Sequence, residues 1–345
     1  MPAISIIMPS YNMEEFIGEC LDSIFNQTFQ DFEIIIVDDC SKDRTVEIVE
    51  DYAQRFGKIN LIKRQKNFGY ASTIRNVVES HARGKYILNM DSDDLLLLDA
   101  LENFFITAEK FQADMVFTEK YYEWYYDGSP MNPSEFNIYS RGFDVKIPTI
   151  ESSDIPSRVD RFIRAKTLLH FWSKFIRRDF LLENQIEFDD VPISCDVIFS
   201  FKCHCLAKSV RVPFIANIYR IRLDSNSQFE ERPSEKLIRK IFHDTFEGAK
   251  AMYRFTQCEE FFQKNLELSY NIVDWFIGRN FWVFNRLIYA QYKPIELESI
   301  IREEIEKDPI GNSILMPHFF SLASMYCVVE SNQREEIQRL RAGKS

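Results

Sequence analysis

"EIIIVDD" (Glu33–Asp39) is the stretch on which the fold turns. Ile34, Ile35, Ile36 and Val37 follow one another with no polar alternation, and the run stops on two aspartates. A short, continuous, β-branched run suits a strand buried on both faces, as in a parallel sheet covered by helices. The same shape recurs along the chain. "ISIIM" (Ile4–Met8) runs into "PSYN" (Pro9–Asn12), and "YILNM" (Tyr86–Met90) runs into "DSDD" (Asp91–Asp94). "NLIK" (Asn60–Lys63) and "DMVFT" (Asp114–Thr118) complete the series.

Helix patterns separate these runs. The first opens at Asn12, with Glu15 at capping-box spacing and Phe16, Cys20, Leu21 and Ile24 as its apolar stripe. Others span Arg44–Phe56, with Asp43 as cap, then Tyr70–Ala82 and Asp99–Phe111. Strand and helix thus alternate over residues 1–120, which predicts an α/β fold with a mostly parallel central sheet. The pattern degrades from Tyr121 to Ser153, mixes over Lys166–Ser227, and is helical beyond Pro233, with breaks at Pro294, Pro309 and Pro317.

Composition narrows the function. A net charge of -11 argues against a nucleic-acid partner, which calls for clustered Lys and Arg. No stretch reaches the ~18 uninterrupted apolar residues of a membrane span. The N-terminus carries no basic, apolar leader, so a cytoplasmic location is expected. The 7 cysteines lack framework spacing and fit reduced thiols; Cys203-His204-Cys205 reads as core rather than metal site.

Three polar motifs follow predicted strands: Pro9–Asn12, Asp38–Asp39 and Asp91–Asp94. Parallel strands end on one edge, where ligands bind, so these motifs share a rim. The Gly-rich phosphate loops G-x-G-x-x-G and G-x-x-x-x-G-K-[ST] are absent. Asp-x-Asp offers another route, because hard divalent cations bridge carboxylates to phosphates. Such an ion would also relieve the repulsion among Asp91, Asp93 and Asp94. Tyr11 has a face on which a base could stack, Asp39 could accept a base N–H, and Arg75, after the "NFG" turn, could approach a nucleotide. One of Asp38 and Asp39 is expected to be structural, and Asn12 to be a helix cap rather than a ligand contact.

The run "SIIMPSYN…FIGECLDSIFNQTFQDFEIIIVDDCSKDRT…NFGYASTIRN…YILNMDSDD" resembles the family-2 inverting glycosyltransferases of GT-A fold. The likeness resumes at Leu168–Asp190 and Tyr219–Ser227. It implies a GT-A domain over 1–228, with a nucleotide-sugar half (about 1–120) and an acceptor half (about 121–228), followed by a helical region over 229–345. It implies a hexosyltransferase-type enzyme. Its donor would be a nucleotide sugar, read as a UDP-sugar, bound by Pro9, Tyr11, Asp39, Arg75, Asp91 and Ser92. Asp93 and Asp94 would hold Mn²⁺ or Mg²⁺. Asp196 would be the general base, although Cys195 stands where the family usually has Glu; Asp189 and Asp190 are its rivals. Some relatives add a downstream His ligand, which "YRIRLDSNS" lacks; Arg222, Asp224 or Ser225 could line the diphosphate instead.

The acceptor implied is a glycan of bacterial surface polysaccharide or lipopolysaccharide, including one carried on a lipid. The C-terminal helices are read as packing or assembly elements of an oligomer. Their patch Trp275–Tyr292 could lie on the inner face of the cell membrane. Trp172 and the aromatic run Tyr121–Tyr126 could pack the core or meet acceptor sugars. Two other classes stay open: a nucleotidyltransferase acting on sugar phosphates, and a non-catalytic nucleotide-sugar-binding scaffold.

Overall fold

The structure is a computed structural model that describes residues 1–69, 77–140, 145–164, 167–191, 194–222, 234–288, 294–308 and 317–318. Over 281–288 and 294–298 only the backbone is described. The chain forms two compact units, Met1–Gln228 and Phe229–Ser345.

The first unit is built on an eight-stranded sheet. Its strands are β1 (Ile4–Ser10), β2 (Phe32–Asp38), β3 (Ile59–Lys63), β4 (Tyr86–Asn89), β6 (Met115–Thr118), β9 (Thr149–Ile150), β10 (Lys174–Arg177) and β11 (Ser209–Val212). They lie in the order β3-β2-β1-β4-β10-β6-β11-β9. β3, β2, β1 and β4 run parallel, and β10 lies antiparallel between β4 and β6. The continuous apolar runs are explained by burial on both sides. Ile4, Ile6, Met8, Ile34, Ile36 and Leu88 pack into one core with helices α1 (Ile17–Phe25), α2 (Thr45–Phe56) and α4 (Ala100–Phe111). Their alternates Ile7, Ile35, Val37 and Ile87 pack into a second core. Helices α3 (Val77–Ser80), α6 (Arg178–Glu183) and α7 (Cys195–Leu206) contribute Val77, Phe180 and Phe199 to that second core. Helix α5 (Ile155–Ile163) lies against α7.

A second sheet of four strands is where the sequence reading needs correction. The aromatic run, read as loss of pattern, is strand β7 (Lys120–Tyr125). It pairs with β12 (Asn217–Ile221) and β8 (Asn137–Ser140), and β5 (Leu95–Leu96) pairs with the far side of β12. Tyr121 and Trp124 are buried, so packing explains those two rings.

Gly84 precedes β4 where the chain crosses close to β1. A Cβ there would lie 2.4 Å from the Ser5 backbone nitrogen and 2.6 Å from the Ile4 carbonyl carbon. The backbone of β1 has no room to yield, so Gly84→Ala is expected to destabilise the fold by about 2–3 kcal/mol. A drop in the urea midpoint at constant slope would show it; an unchanged midpoint would contradict it.

The second unit is helical: α8 (Glu235–Cys258), α9 (Glu260–Lys264), α10 (Leu266–Ile288) and α11 (Pro294–Glu306). Ser234 caps α8 by accepting the Leu237 N–H at 3.3 Å. Ile238, Ile241, Phe242 and Met252 of α8 are buried, as are Ile272, Val273, Phe276 and Ile277 of α10. No described helix is long and apolar enough to cross a membrane.

Candidate functional site

The rim forms where β1, β2 and β4 end side by side. Ser10 pairs with Asp38, the Asp39 N–H donates to the Ser10 carbonyl at 2.8 Å, and the Met90 N–H donates to the Ile7 carbonyl at 3.0 Å. Three motifs distant in sequence therefore leave the sheet at adjacent points. Pro9 is buried within β1, while Tyr11 stands on the rim with 41% of its surface exposed.

Asn12 does not cap α1, which begins at Ile17. Its backbone takes a left-handed turn (φ 51°), a conformation that Asn tolerates better than most residues. Its side-chain oxygen accepts the Lys42 N–H at 2.8 Å, and its own N–H donates to Ser41 Oγ at 2.9 Å. The zip continues. The Met13 N–H meets Thr45 Oγ1 at 2.6 Å, the Glu14 N–H meets Asp43 Oδ2 at 3.0 Å, and the Arg44 N–H meets Glu14 Oε2 at 2.9 Å. The expected cap Asn12 thus belongs to an inter-loop lock that fixes the β1 and β2 exits together, while Glu15 accepts the Tyr126 O–H at 2.7 Å.

The two aspartates after β2 divide their work. Asp38 accepts the Ser41 N–H at 3.0 Å and so shapes its own turn. Asp39 accepts the N–H groups of Phe68 at 3.0 Å and Gly69 at 2.9 Å, which holds the "NFG" turn against the rim. An ionised carboxylate has about four lone-pair sites, so Asp39 retains capacity for another donor. Arg75 lies outside the described residues.

After β4 the acidic turn is arranged in depth. Asp91 and Asp93 are half-buried, Ser92 is buried, and Asp94 is 1% exposed. Asp94 Oδ1 accepts the Arg220 backbone N–H at 3.0 Å, while Oδ2 is buried with no hydrogen-bond partner. Burial, reinforced by the charges of Asp93 and Asp91, pushes the Asp94 carboxyl well above the usual carboxylate range. Among the described residues no group of three or more His, Cys, Asp or Glu is arranged to hold a metal ion.

The opposing charge comes from β12 and the residue beyond it. Arg222 donates from Nε to Asp93 Oδ2 at 2.9 Å, with Nη2 2.8 Å from the same oxygen. Arg220 is buried, donates to Glu19 Oε2 at 2.6 Å, and lies over the rings of Phe16, Trp124 and Tyr126. Sequence reasoning held Arg222 as one option and missed Arg220. The alternation in "YRIR" was the available signal, because residues two apart on a strand share a face.

Asp196 sits in the first turn of α7, where its Oδ1 accepts the Val197 N–H at 2.9 Å. Lys174 stands at the start of β10, which pairs with β4, with Phe175 opposite Leu88. Lys174 Nζ is buried and donates to the carbonyls of Leu168 at 2.9 Å and His170 at 2.6 Å. Burial pushes its pKa down, against the opposing pull of Glu119, Cys203 and Asp196. Asp189 is paired with Lys202 Nζ at 2.7 Å. Trp172 is buried and stacked on His170 at 4.9 Å, which makes it core. Cys203, His204 and Cys205 are buried too, with His204 Nε2 3.4 Å from Thr167 Oγ1.

Comparison with known proteins places this geometry. EpsJ of Bacillus subtilis, an uncharacterised glycosyltransferase, is 45% identical over 116 residues, covering 34% of this chain and 33% of EpsJ. The chain thus matches only a third of that relative's length. EpsH of the same organism, a putative glycosyltransferase, is 30% identical over 276 residues, covering 78% of this chain and 71% of EpsH. The crystal structure of Staphylococcus aureus TarS 1–349 with UDP-GlcNAc shares the fold at a TM-score of 0.61 and 19% identity, covering 88% of this chain and 79% of that one. That fold is GT-A: a largely parallel central sheet flanked by helices, with a helical C-terminal extension. Residues 5–179 match the description "Glycosyl transferase family 2", and with the extended likeness to EpsH they show that the chain belongs to glycosyl transferase family 2.

Proposed function

We propose that the chain is an inverting glycosyltransferase that takes a sugar from a UDP-linked donor and passes it to a hydroxyl of a bacterial surface glycan. The observation that carries this reading is the shared rim, where Tyr11, Asp39 and the Asp91–Asp94 turn emerge from adjacent parallel strands. Tyr11 offers an exposed ring to the base, and Asp39 accepts a base N–H while it anchors the "NFG" turn. Pro9 fixes the strand end beneath them. Ser92 and Asp91, in the turn after β4, are assigned to the diphosphate with Arg75, on the resemblance. The UDP-sugar structure of TarS supports the choice of donor.

The residues fit a divalent cation. Asp91 and Asp93 are half-buried, and a hard ion shared with a diphosphate needs only one or two protein carboxylates. Asp93, with Asp91, would hold Mn²⁺ or Mg²⁺, which when bound offsets charge on the departing diphosphate. Asp94 is read as structural, at the base of the turn, where its Oδ1 holds the Arg220 N–H. Asp196 takes the acceptor hydroxyl proton as that oxygen attacks the anomeric carbon opposite the leaving group. A lipid-borne acceptor, with the enzyme at the inner face of the membrane, remains part of this proposal.

The test is the product formed. Purified chain with Mn²⁺, a panel of UDP-sugars and an extracted surface glycan is expected to release UDP. Release of pyrophosphate from UTP and a sugar 1-phosphate, with no UDP formed from any UDP-sugar, would mark a nucleotidyltransferase, and donor binding with no product from any acceptor would mark a scaffold.

A further inference from the structure

The acidic turn is neutralised from within. Arg222 places Nε and Nη2 on one oxygen of Asp93, at 2.9 and 2.8 Å. Its guanidinium lies 4.7 Å from the centre of the Phe16 ring, with little solvent around it. The carboxylate read as a cation ligand is therefore already held by a cation of the chain itself.

We propose that Arg222 is an exchangeable counter-ion: it holds Asp93 in the ligand-free protein and passes to the donor diphosphate when a divalent cation occupies Asp93, so that cation and nucleotide bind as a coupled pair. This deepens the donor-site reading and rests on it. A cation arriving alone must displace Arg222 and leave a nearly buried guanidinium short of one anion, which is costly. A cation arriving with a diphosphate brings oxygens that a planar guanidinium can take in a forked pair of bonds. The local architecture allows a change of partner by the side chain alone. Arg222 lies one residue beyond the end of β12. Arg220, two residues earlier, is fixed by three aromatic rings, by Glu19, and by its N–H on Asp94. The strand is held while the residue after it is not part of the ladder.

The coupling is read from the free-ion paramagnetic resonance signal of Mn²⁺ during titration of the full chain, with and without UDP. Removing the internal cation frees Asp93 but deprives the diphosphate of a partner. Arg222→Gln is therefore expected to bind Mn²⁺ alone about tenfold more tightly than the wild type, and UDP with Mn²⁺ about tenfold more weakly. Arg222→Lys keeps the charge without the fork; it is expected to shift both affinities in the same directions by less, and it replaces the Gln variant should that one not fold. Equal affinity for Mn²⁺ alone in wild type and variant, including none detectable in either, overturns the counter-ion proposal while leaving the donor site standing. Failure of the wild type to bind UDP with Mn²⁺ overturns both.

Discussion

Asp196→Asn is expected to lower the rate of sugar transfer by about 10²–10⁴-fold while leaving UDP affinity within about twofold of wild type. The substitution is close to isosteric, and the amide oxygen can still accept the Val197 N–H that Asp196 Oδ1 accepts at 2.9 Å. The Val197 N–H contact at the helix start is therefore preserved, while the proton acceptor is lost. Single-turnover transfer with saturating donor measures the chemical step, and calorimetry with UDP measures binding. Asp189→Asn is the control. Asp189 is engaged by Lys202 at 2.7 Å, so its loss acts on an ion pair rather than on the acceptor oxygen. Transfer by Asp196→Asn at the wild-type rate would remove Asp196 as the base, and a collapse of Asp189→Asn instead would move the role there.

Asp93→Ala is expected to weaken UDP binding in the presence of Mn²⁺ by about 10–100-fold, the scale of one charge-assisted interaction removed together with its cation. It also removes one partner of Arg222, so the variant should lose about 1–3 kcal/mol of stability even without ligand. The two effects separate by experiment: calorimetry with and without Mn²⁺ reads the first, and urea unfolding of the ligand-free protein reads the second. Wild-type affinity in Mn²⁺ would sink the assignment of Asp93 as a metal ligand, whatever the stability result. Asp94→Asn serves as a contrast. Asp94 carries the Arg220 N–H on Oδ1 and is pushed toward its neutral form by burial, so an amide there should change UDP binding little.

The central sheet was legible because a buried parallel strand has a local mark. Ile34–Val37 must cover two faces at once, and the chain must leave each strand at the same edge, which is enough to put Asp39 and Asp91 on one rim. Local marks were weaker elsewhere. Asn12 and Glu15 had the spacing of a cap, but the bonds of Asn12 go to Ser41 and Lys42, some thirty residues away. Tyr121–Tyr126 had no clean alternation, because β7 lies between two strand partners and buries Tyr121 and Trp124 at irregular spacing.

What the sequence determined by itself was the covered parallel sheet and the acidic edge, since both follow from which faces short apolar runs must bury. What only the tertiary structure decided was how that edge is balanced. Asp93 and Asp94 meet Arg222 and Arg220 across 129 and 126 residues, through a strand whose place beside β5 and β7 no local pattern fixes. Contacts this distant in sequence depend on strand register, and register is set by the packed whole rather than by neighbours in the chain.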